Sequence, residues 1–220
     1  MTVAVRSRSE TAAMIRDVGI IPVIRADSAA DAIRVAETLA ESGLLVAEIT
    51  MTVPDALKAI AAVSRRLGAR MLVGAGSVVD AEAARLSVAA GAMFIVSPCL
   101  VPDVMDQAAD DDVVMMAGAL TPTEVFNASQ RGAAFVKIFP AGSVGGASYL
   151  RALRGPFPDI ALVPTGGVSL ESIAGYFAAG AAAVGVGSEL VSRTAIQRGD
   201  FAAIGALATE FLRAVRSARA

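Results

Sequence analysis

Residues 71–91, MLVGAGSVVDAEAARLSVAAG, hold the plan of the whole chain. Met71–Gly74 is a short apolar run of strand character. A small-residue turn follows. Asp80 then stands where a helix N-cap is favoured, ahead of the Ala-rich stretch Asp80–Ala90. Gly91 closes the unit as a glycine beyond a helix C-terminus. The same unit recurs along the chain. Strand-like runs occur at Ile20–Ile24, Val46–Thr50, Met71–Gly74, Phe94–Ser97, Val113–Met116, Phe135–Phe139, Ala161–Pro164 and Ala182–Val186. They read as continuous apolar segments, as expected of parallel strands covered by helices. Between them lie helix-like stretches such as Ser28–Ser42, Val53–Leu67, Pro102–Ala109 and Thr123–Arg131. Thr123 is expected as an N-cap, and Pro54 and Pro102 in first helical turns. Gly43, Gly68, Gly132 and Gly180 are expected as left-handed C-terminal glycines. Eight such units fill the chain, so the expected fold is a single (β/α)8 barrel over residues 1–220. Residues 1–12 are read as an N-terminal extension that could form a capping helix. An open doubly wound sheet would explain the alternation but not the count of eight.

Composition narrows the function. The chain has 220 residues, 55% hydrophobic and 18% charged, which disfavours disorder. Its formal net charge of −2 offers no basic field for nucleic acid. The mean hydropathy of +0.62 is high, but the apolar stretches are interrupted before a membrane span of roughly 20 residues is reached. Arg6 and Arg8 are followed by no apolar core of a secretory signal. A cytoplasmic protein with no membrane partner is therefore expected. The chain contains no histidine, which removes His-based triads, His general bases and most zinc sites. Composition alone leaves magnesium held by carboxylates possible, although no metal or cofactor is expected. The lone Cys99 has no histidine to activate it and is read as structural.

In a (β/α)8 barrel the chemistry lies at the C-terminal ends of the strands. Two strands carry charge where apolar residues are expected. Lys137 sits in Phe135-Val136-Lys137-Ile138-Phe139, and it is one of only two lysines among 19 basic residues. An ammonium buried without a partner is costly, and burial favours the neutral amine, which attacks carbonyls. Lys137 is thus either a Schiff-base lysine or a lysine that snorkels from the strand end to solvent. Glu48 sits in Val46-Ala47-Glu48-Ile49-Thr50 on the second strand, opposite the sixth across the barrel. It could shuttle protons beside an iminium or serve only as an ion-pair partner of Lys137 or Arg25.

Two glycine-rich turns form the third signal. Thr165-Gly166-Gly167-Val168 follows strand seven, and Gly185-Val186-Gly187-Ser188 follows strand eight. Loops at these strand ends form the usual phosphate site of such barrels. Glycine admits close backbone approach to an anion, and a helix N-terminus would add a favourable dipole. Tight turns that need glycine for themselves are the alternative. Arg25, at the end of strand one, could bind a carboxylate or phosphate or make an ordinary surface ion pair. The small residues of Gly74-Ala75-Gly76-Ser77 could leave room for a substrate carboxylate. Asp110-Asp111-Asp112 reads as a solvated turn at the far end of the barrel.

In order and spacing, Ile21-Pro22-Val23-Ile24-Arg25, Glu48-Ile49-Thr50, Gly74-Ala75-Gly76-Ser77, Ser97-Pro98, Lys137-Ile138-Phe139-Pro140-Ala141, Pro164-Thr165-Gly166-Gly167-Val168 and Gly185-Val186-Gly187-Ser188-Glu189-Leu190 form one pattern. From about Gly19 to Asp200 the chain resembles the class I aldolases of 2-keto-3-deoxy-6-phosphogluconate and their 4-hydroxy-2-oxoglutarate and 6-phosphogalactonate relatives. The resemblance implies a homotrimer that cleaves a phosphorylated 2-keto acid to pyruvate and glyceraldehyde 3-phosphate. It implies that Lys137 forms the Schiff base and Glu48 is the general acid/base. Gly166, Gly167 and Ser188 would hold the phosphate, with Thr165 at the mouth and Ser77 near the pyruvyl group; Pro98 and Gly187 are counted with the substrate-binding residues. Two departures stand out. Thr52 occupies the position of an arginine that helps hold the substrate carboxylate, and Arg25 or backbone N–H groups would take over. Met116-Ala117-Gly118 replaces a common Pro-Gly pair, where a packing change is expected. The rival readings are a sugar-phosphate isomerase or epimerase without a covalent intermediate, a non-catalytic sensor of a phosphorylated ligand, and a metal-dependent pyruvate aldolase.

Overall fold

Each apolar run becomes a strand, and each Ala-rich stretch becomes the helix that covers it. The structure is a computed structural model that describes residues 6–220. The strands are β1 (Ile20–Ile24), β2 (Val46–Thr50), β3 (Leu72–Gly76), β4 (Phe94–Val96), β5 (Val114–Ala119), β6 (Phe135–Ile138), β7 (Leu162–Pro164) and β8 (Val184–Val186). The helices are α1 (Arg8–Val18), α2 (Ala29–Glu41), α3 (Ala56–Leu67), α4 (Ala81–Ala89), α5 (Pro102–Asp110), α6 (Pro122–Gln130), α7 (Ala147–Arg154), α8 (Ile173–Ala178), α9 (Arg193–Gln197) and α10 (Phe201–Arg219). The strands form one parallel sheet in the order β7-β6-β5-β4-β3-β2-β1-β8. Its two ends meet through the parallel bridge Thr165↔Gly185 and the Ala182 N–H, which donates to the Leu162 carbonyl at 2.9 Å. The sheet is a barrel with one thin seam, between β7 and β8.

Alternation along the strands makes two cores. Ala47, Ile49, Val136 and Ile138 point outward into the large core under the helices. Val46, Leu72, Phe94, Met116, Phe135 and Val163 fill the barrel interior. Ile15 of α1 packs with this inner set, so α1 plugs the N-terminal end. The expected extension over residues 1–12 lies partly outside the described residues; from Arg8 it is the first turn of α1, which continues to Val18. The filled lower layer closes the barrel interior below the end where the strands finish.

The caps largely follow the sequence. Asp80 accepts from the Ala83 N–H at 2.7 Å, and Pro102 opens α5. Three expectations fail for local reasons. The N-cap of α6 is Thr121, not Thr123, because Glu124 closes a capping box with it and Pro122 takes the first helical position. Pro54 lies ahead of α3, whose N-cap is Asp55. Gly68 has φ −56°, because the chain turns on through Ala69 and Arg70, where the Met71 N–H donates to the Leu67 carbonyl at 2.8 Å. Gly43, Gly91, Gly132 and Gly180 do have positive φ. Among the described residues no helix is long and apolar enough to cross a membrane.

Candidate active site

Lys137 and Glu48 follow the inward parity of their strands. On β6, Phe135 fills the lower layer, so Lys137 points inward one layer higher; on β2, Val46 and Glu48 stand in the same relation. Both side chains are buried, and Lys137 Nζ lies 3.8 Å from Glu48 Oε1. That distance allows strong Coulomb attraction but exceeds a hydrogen bond. Among the described residues, Glu48 Oε1 is the one buried side-chain oxygen or nitrogen without a hydrogen-bond partner. A buried carboxylate oxygen with free accepting capacity is costly to keep, and a catalytic role is one reason a protein retains such a group.

Glycine makes the room for this pair. A Cβ at Gly76 would fall on the Glu48 carboxylate, and one at Gly74 would fall on the Phe94 ring. The space expected beside Gly74 and Gly76 for a substrate carboxylate is therefore taken by the protein itself. Gly118, paired in register with Lys137, has the backbone of Pro98 and Cys99 packed against it. Cys99 is exposed rather than part of the core, and it acts through its carbonyl, which accepts from Ser97 Oγ at 2.7 Å.

Above the pair opens a cavity of about 400 Å³. Lys137 forms part of its wall with Arg25, Thr165, Gly166, Gly167, Gly187 and Ser188. Phe139 joins them, its ring centroid 5.6 Å from Lys137 Nζ. Seven residues singled out from sequence thus meet in one place, with Glu48 reaching Lys137 from the opposite strand. Three others do not line this cavity. Thr52 is exposed, its Oγ1 2.8 Å from Thr50 Oγ1. Ser77 directly follows Gly76 in a left-handed conformation, φ 59°, which strains a non-glycine residue. Pro98 is half-buried over Gly118.

The two glycine turns differ in kind. Gly166 and Gly167 have φ 86° and 74°, so the turn itself requires them. Gly187 has no such φ, and a Cβ there would meet nothing within 4 Å. No backbone or packing reason holds glycine at 187, which lines the cavity. The expected helix dipole is absent from the loop after β8. Ser188–Val191 forms a single turn whose Leu190 and Val191 N–H groups donate to the Gly187 carbonyl, and α9 begins only at Arg193.

Arg25 is exposed and, among the described residues, makes no ion pair; the surface salt bridge considered from sequence is not formed. Sequence reasoning missed Arg193. It also lines the cavity and is held by Asp27, with Nε–Oδ2 3.2 Å and Nη2–Oδ1 2.6 Å. Gln197 donates to the same carboxylate at 3.1 Å, and the hydrogen bonds from Gln197 and Arg193 hold the Asp27 carboxyl below its ordinary value. Asp27 and Arg193 are 166 residues apart, and only the position of Arg193 just past the strand-eight motif could have drawn notice. A larger cavity, about 520 Å³, lies at the opposite end of the barrel beside Arg6, Thr11, Ser64 and Asp112, away from Lys137.

Comparison with known proteins places the chain in one family. The family described as KDPG and KHG aldolase matches residues 11–207. The 2-dehydro-3-deoxy-phosphogluconate aldolase of Pseudomonas aeruginosa is 36% identical over 197 residues, 90% of this chain and 89% of that one. The KDPG aldolase of Legionella pneumophila, solved with pyruvate captured at low pH as a covalent carbinolamine intermediate, superposes with a TM-score of 0.84 at 30% identity, covering 90% of this chain and 96% of that one. The 2-keto-3-deoxy-6-phosphogluconate aldolase of Zymomonas mobilis, solved with 3-phosphoglycerate, gives 0.81 at 30% identity, covering 93% and 95%. A buried lysine–glutamate pair beneath glycine-walled loops, in a barrel this similar along nearly its whole length, identifies the chain as a member of the KDPG and KHG aldolase family.

Proposed function

We propose that the protein is a class I, Schiff-base aldolase that cleaves 2-keto-3-deoxy-6-phosphogluconate to pyruvate and glyceraldehyde 3-phosphate, working as a cytoplasmic homotrimer. The observation that carries this reading is the buried Lys137 Nζ, 3.8 Å from an unpartnered Glu48 oxygen, at the floor of the cavity. An amine and a proton-transfer group at that spacing can both reach one carbonyl carbon and its substituents.

The Lys137 amine attacks the C2 ketone, forming a carbon–nitrogen bond and, after proton transfer, a carbinolamine. Glu48 delivers a proton to the departing hydroxyl, water leaves, and an iminium forms. The iminium draws the electron pair of the C3–C4 bond as Glu48, directly or through one water, removes the C4 hydroxyl proton. The aldehyde departs, leaving an enamine of pyruvate. Protonation at C3 and hydrolysis release pyruvate and restore the amine. Gly166, Gly167, Gly187 and Ser188 hold the distal phosphate. Arg25 shares their cavity rather than the Thr52 side, so it is assigned to the phosphate end. Thr52, Ser77 and Pro98 are assigned to the carboxylate end, where polar and backbone groups replace the missing arginine; Thr165 borders the reacting carbons.

The test is borohydride reduction in the presence of pyruvate, followed by peptide mass analysis. A reduced pyruvyl adduct is expected on Lys137. The only other lysine, Lys58, is an exposed internal control paired with Asp55 at 3.0 Å. Lys137→Ala should lose both adduct and turnover. Pyruvate binding without an adduct would move Lys137 to a non-covalent role and replace the aldolase reading with an isomerase.

A further inference from the structure

We propose that Arg193 is a specificity-determining residue, a second cationic clamp for the substrate's terminal phosphate, held ready by Asp27 and Gln197. The proposal rests on the reading of this cavity as the site of a phosphorylated substrate. Arginine has five N–H donors in a planar fork. Asp27 engages two of them, on Nε and Nη2, along one edge of the guanidinium. Among the described residues, Nη1 makes no hydrogen bond within the chain, so the far end of the fork keeps its donors. That open end belongs to a residue in the wall of the cavity that contains Ser188 and Gly187.

An exposed ion pair by itself contributes little to stability. This one differs in three respects. It is two-point, which fixes the guanidinium plane. Gln197, one turn on along α9, fixes the orientation of Asp27 in turn. It also joins the loop after β1 to the start of α9, the helix that follows β8, and β1 and β8 are adjacent strands whose ends border the site. The cost of immobilising a long side chain is thus met before substrate arrives, which leaves more of the contact energy for binding. The reacting C2 carbon must lie at Lys137 on the floor, so a residue at the start of α9, in the cavity wall with Gly187 and Ser188, faces the other end of the substrate, where the phosphate sits.

The experiment compares Arg193→Ala, Arg193→Lys and Ser188→Ala on 2-keto-3-deoxy-6-phosphogluconate and on its unphosphorylated counterpart, 2-keto-3-deoxygluconate. For Arg193→Ala, KM for the phosphorylated substrate is expected to rise about tenfold or more, the range of a hydrogen bond to a charged group. Its kcat should hold, the signature of lost uniform binding. The unphosphorylated substrate should be unaffected, and Arg193→Lys should recover part of the loss. The rate of pyruvate trapping on Lys137 should stay at the wild-type value, which shows an intact fold and floor. If Ser188→Ala discriminates between the substrates and Arg193→Ala does not, the Arg193 proposal is overturned and the phosphate site stands. If neither variant discriminates, both fall.

Discussion

Substituting Gly76 by alanine should disable the protein without touching a reactive group. The added Cβ would meet the carboxylate of Glu48 closer than any real Cβ approaches, and the contact atoms are Oε1, Cδ and Cγ of one side chain. Glu48 must therefore move by more than about 1 Å, and a displacement of that size costs on the order of 100-fold in rate. Because Oε1 is the oxygen facing Lys137 Nζ at 3.8 Å, the shift falls on the group that handles protons. Overpacking adds a destabilisation of about 1–3 kcal/mol. The assay is pyruvate release coupled to lactate dehydrogenase, with a thermal melt on the same sample. A drop in kcat of about 100-fold is expected with the protein still folded at assay temperature. Gly76→Ala combined with Glu48→Asp, one methylene shorter, should be no slower than the worse single variant, since the two changes act on the same space. A Gly76→Ala enzyme with kcat within threefold of wild type would show that the position of Glu48 does not limit the rate.

Two further outcomes follow from the site. Glu48→Gln should lower kcat by about two to four orders of magnitude, the usual scale of general acid–base catalysis, while pyruvate still binds; a loss under tenfold in steady-state turnover would remove Glu48 from proton transfer. Gly187→Ala should fold normally, because open space surrounds the glycine and its φ is not left-handed. It should raise KM for the phosphorylated substrate with an unchanged melting temperature, and the reverse pattern would make Gly187 a structural residue.

What could be read from sequence depended on how local its cause was. The eight strands were legible because parallel strands under helices must be apolar on both faces, which short runs such as Phe135–Phe139 display directly. Lys137 and Glu48 were legible because charge within such runs has no packing reason to be there. The caps failed where two signals competed within a few residues: Thr121 and Thr123 both suit an N-cap, and Pro122 with Glu124 decides between them. The purpose of Gly74 and Gly76 was misread because the atoms that fill their space come from Phe94 and Glu48 on neighbouring strands. Arg193 and Asp27 were invisible because both are ordinary surface charges until the closing of the barrel brings the two ends of the chain together. Long-range contacts between exposed polar groups leave no periodic trace.

The seam between β7 and β8 takes on another meaning beside the proposed phosphate loops. One bridge and one further hydrogen bond join these strands, whereas the loops that follow them, Gly166–Gly167 and Gly187–Ser188, reach the same cavity. A phosphate gripped from both sides would act as an additional rung across the weakest joint of the sheet. The substrate would then be a reversible part of the scaffold, and the resistance of the barrel to opening would follow metabolite concentration, by about 2.7 kcal/mol at a hundred times Kd. A protein built this way is sturdiest when it is supplied and easiest to dismantle when its substrate runs out.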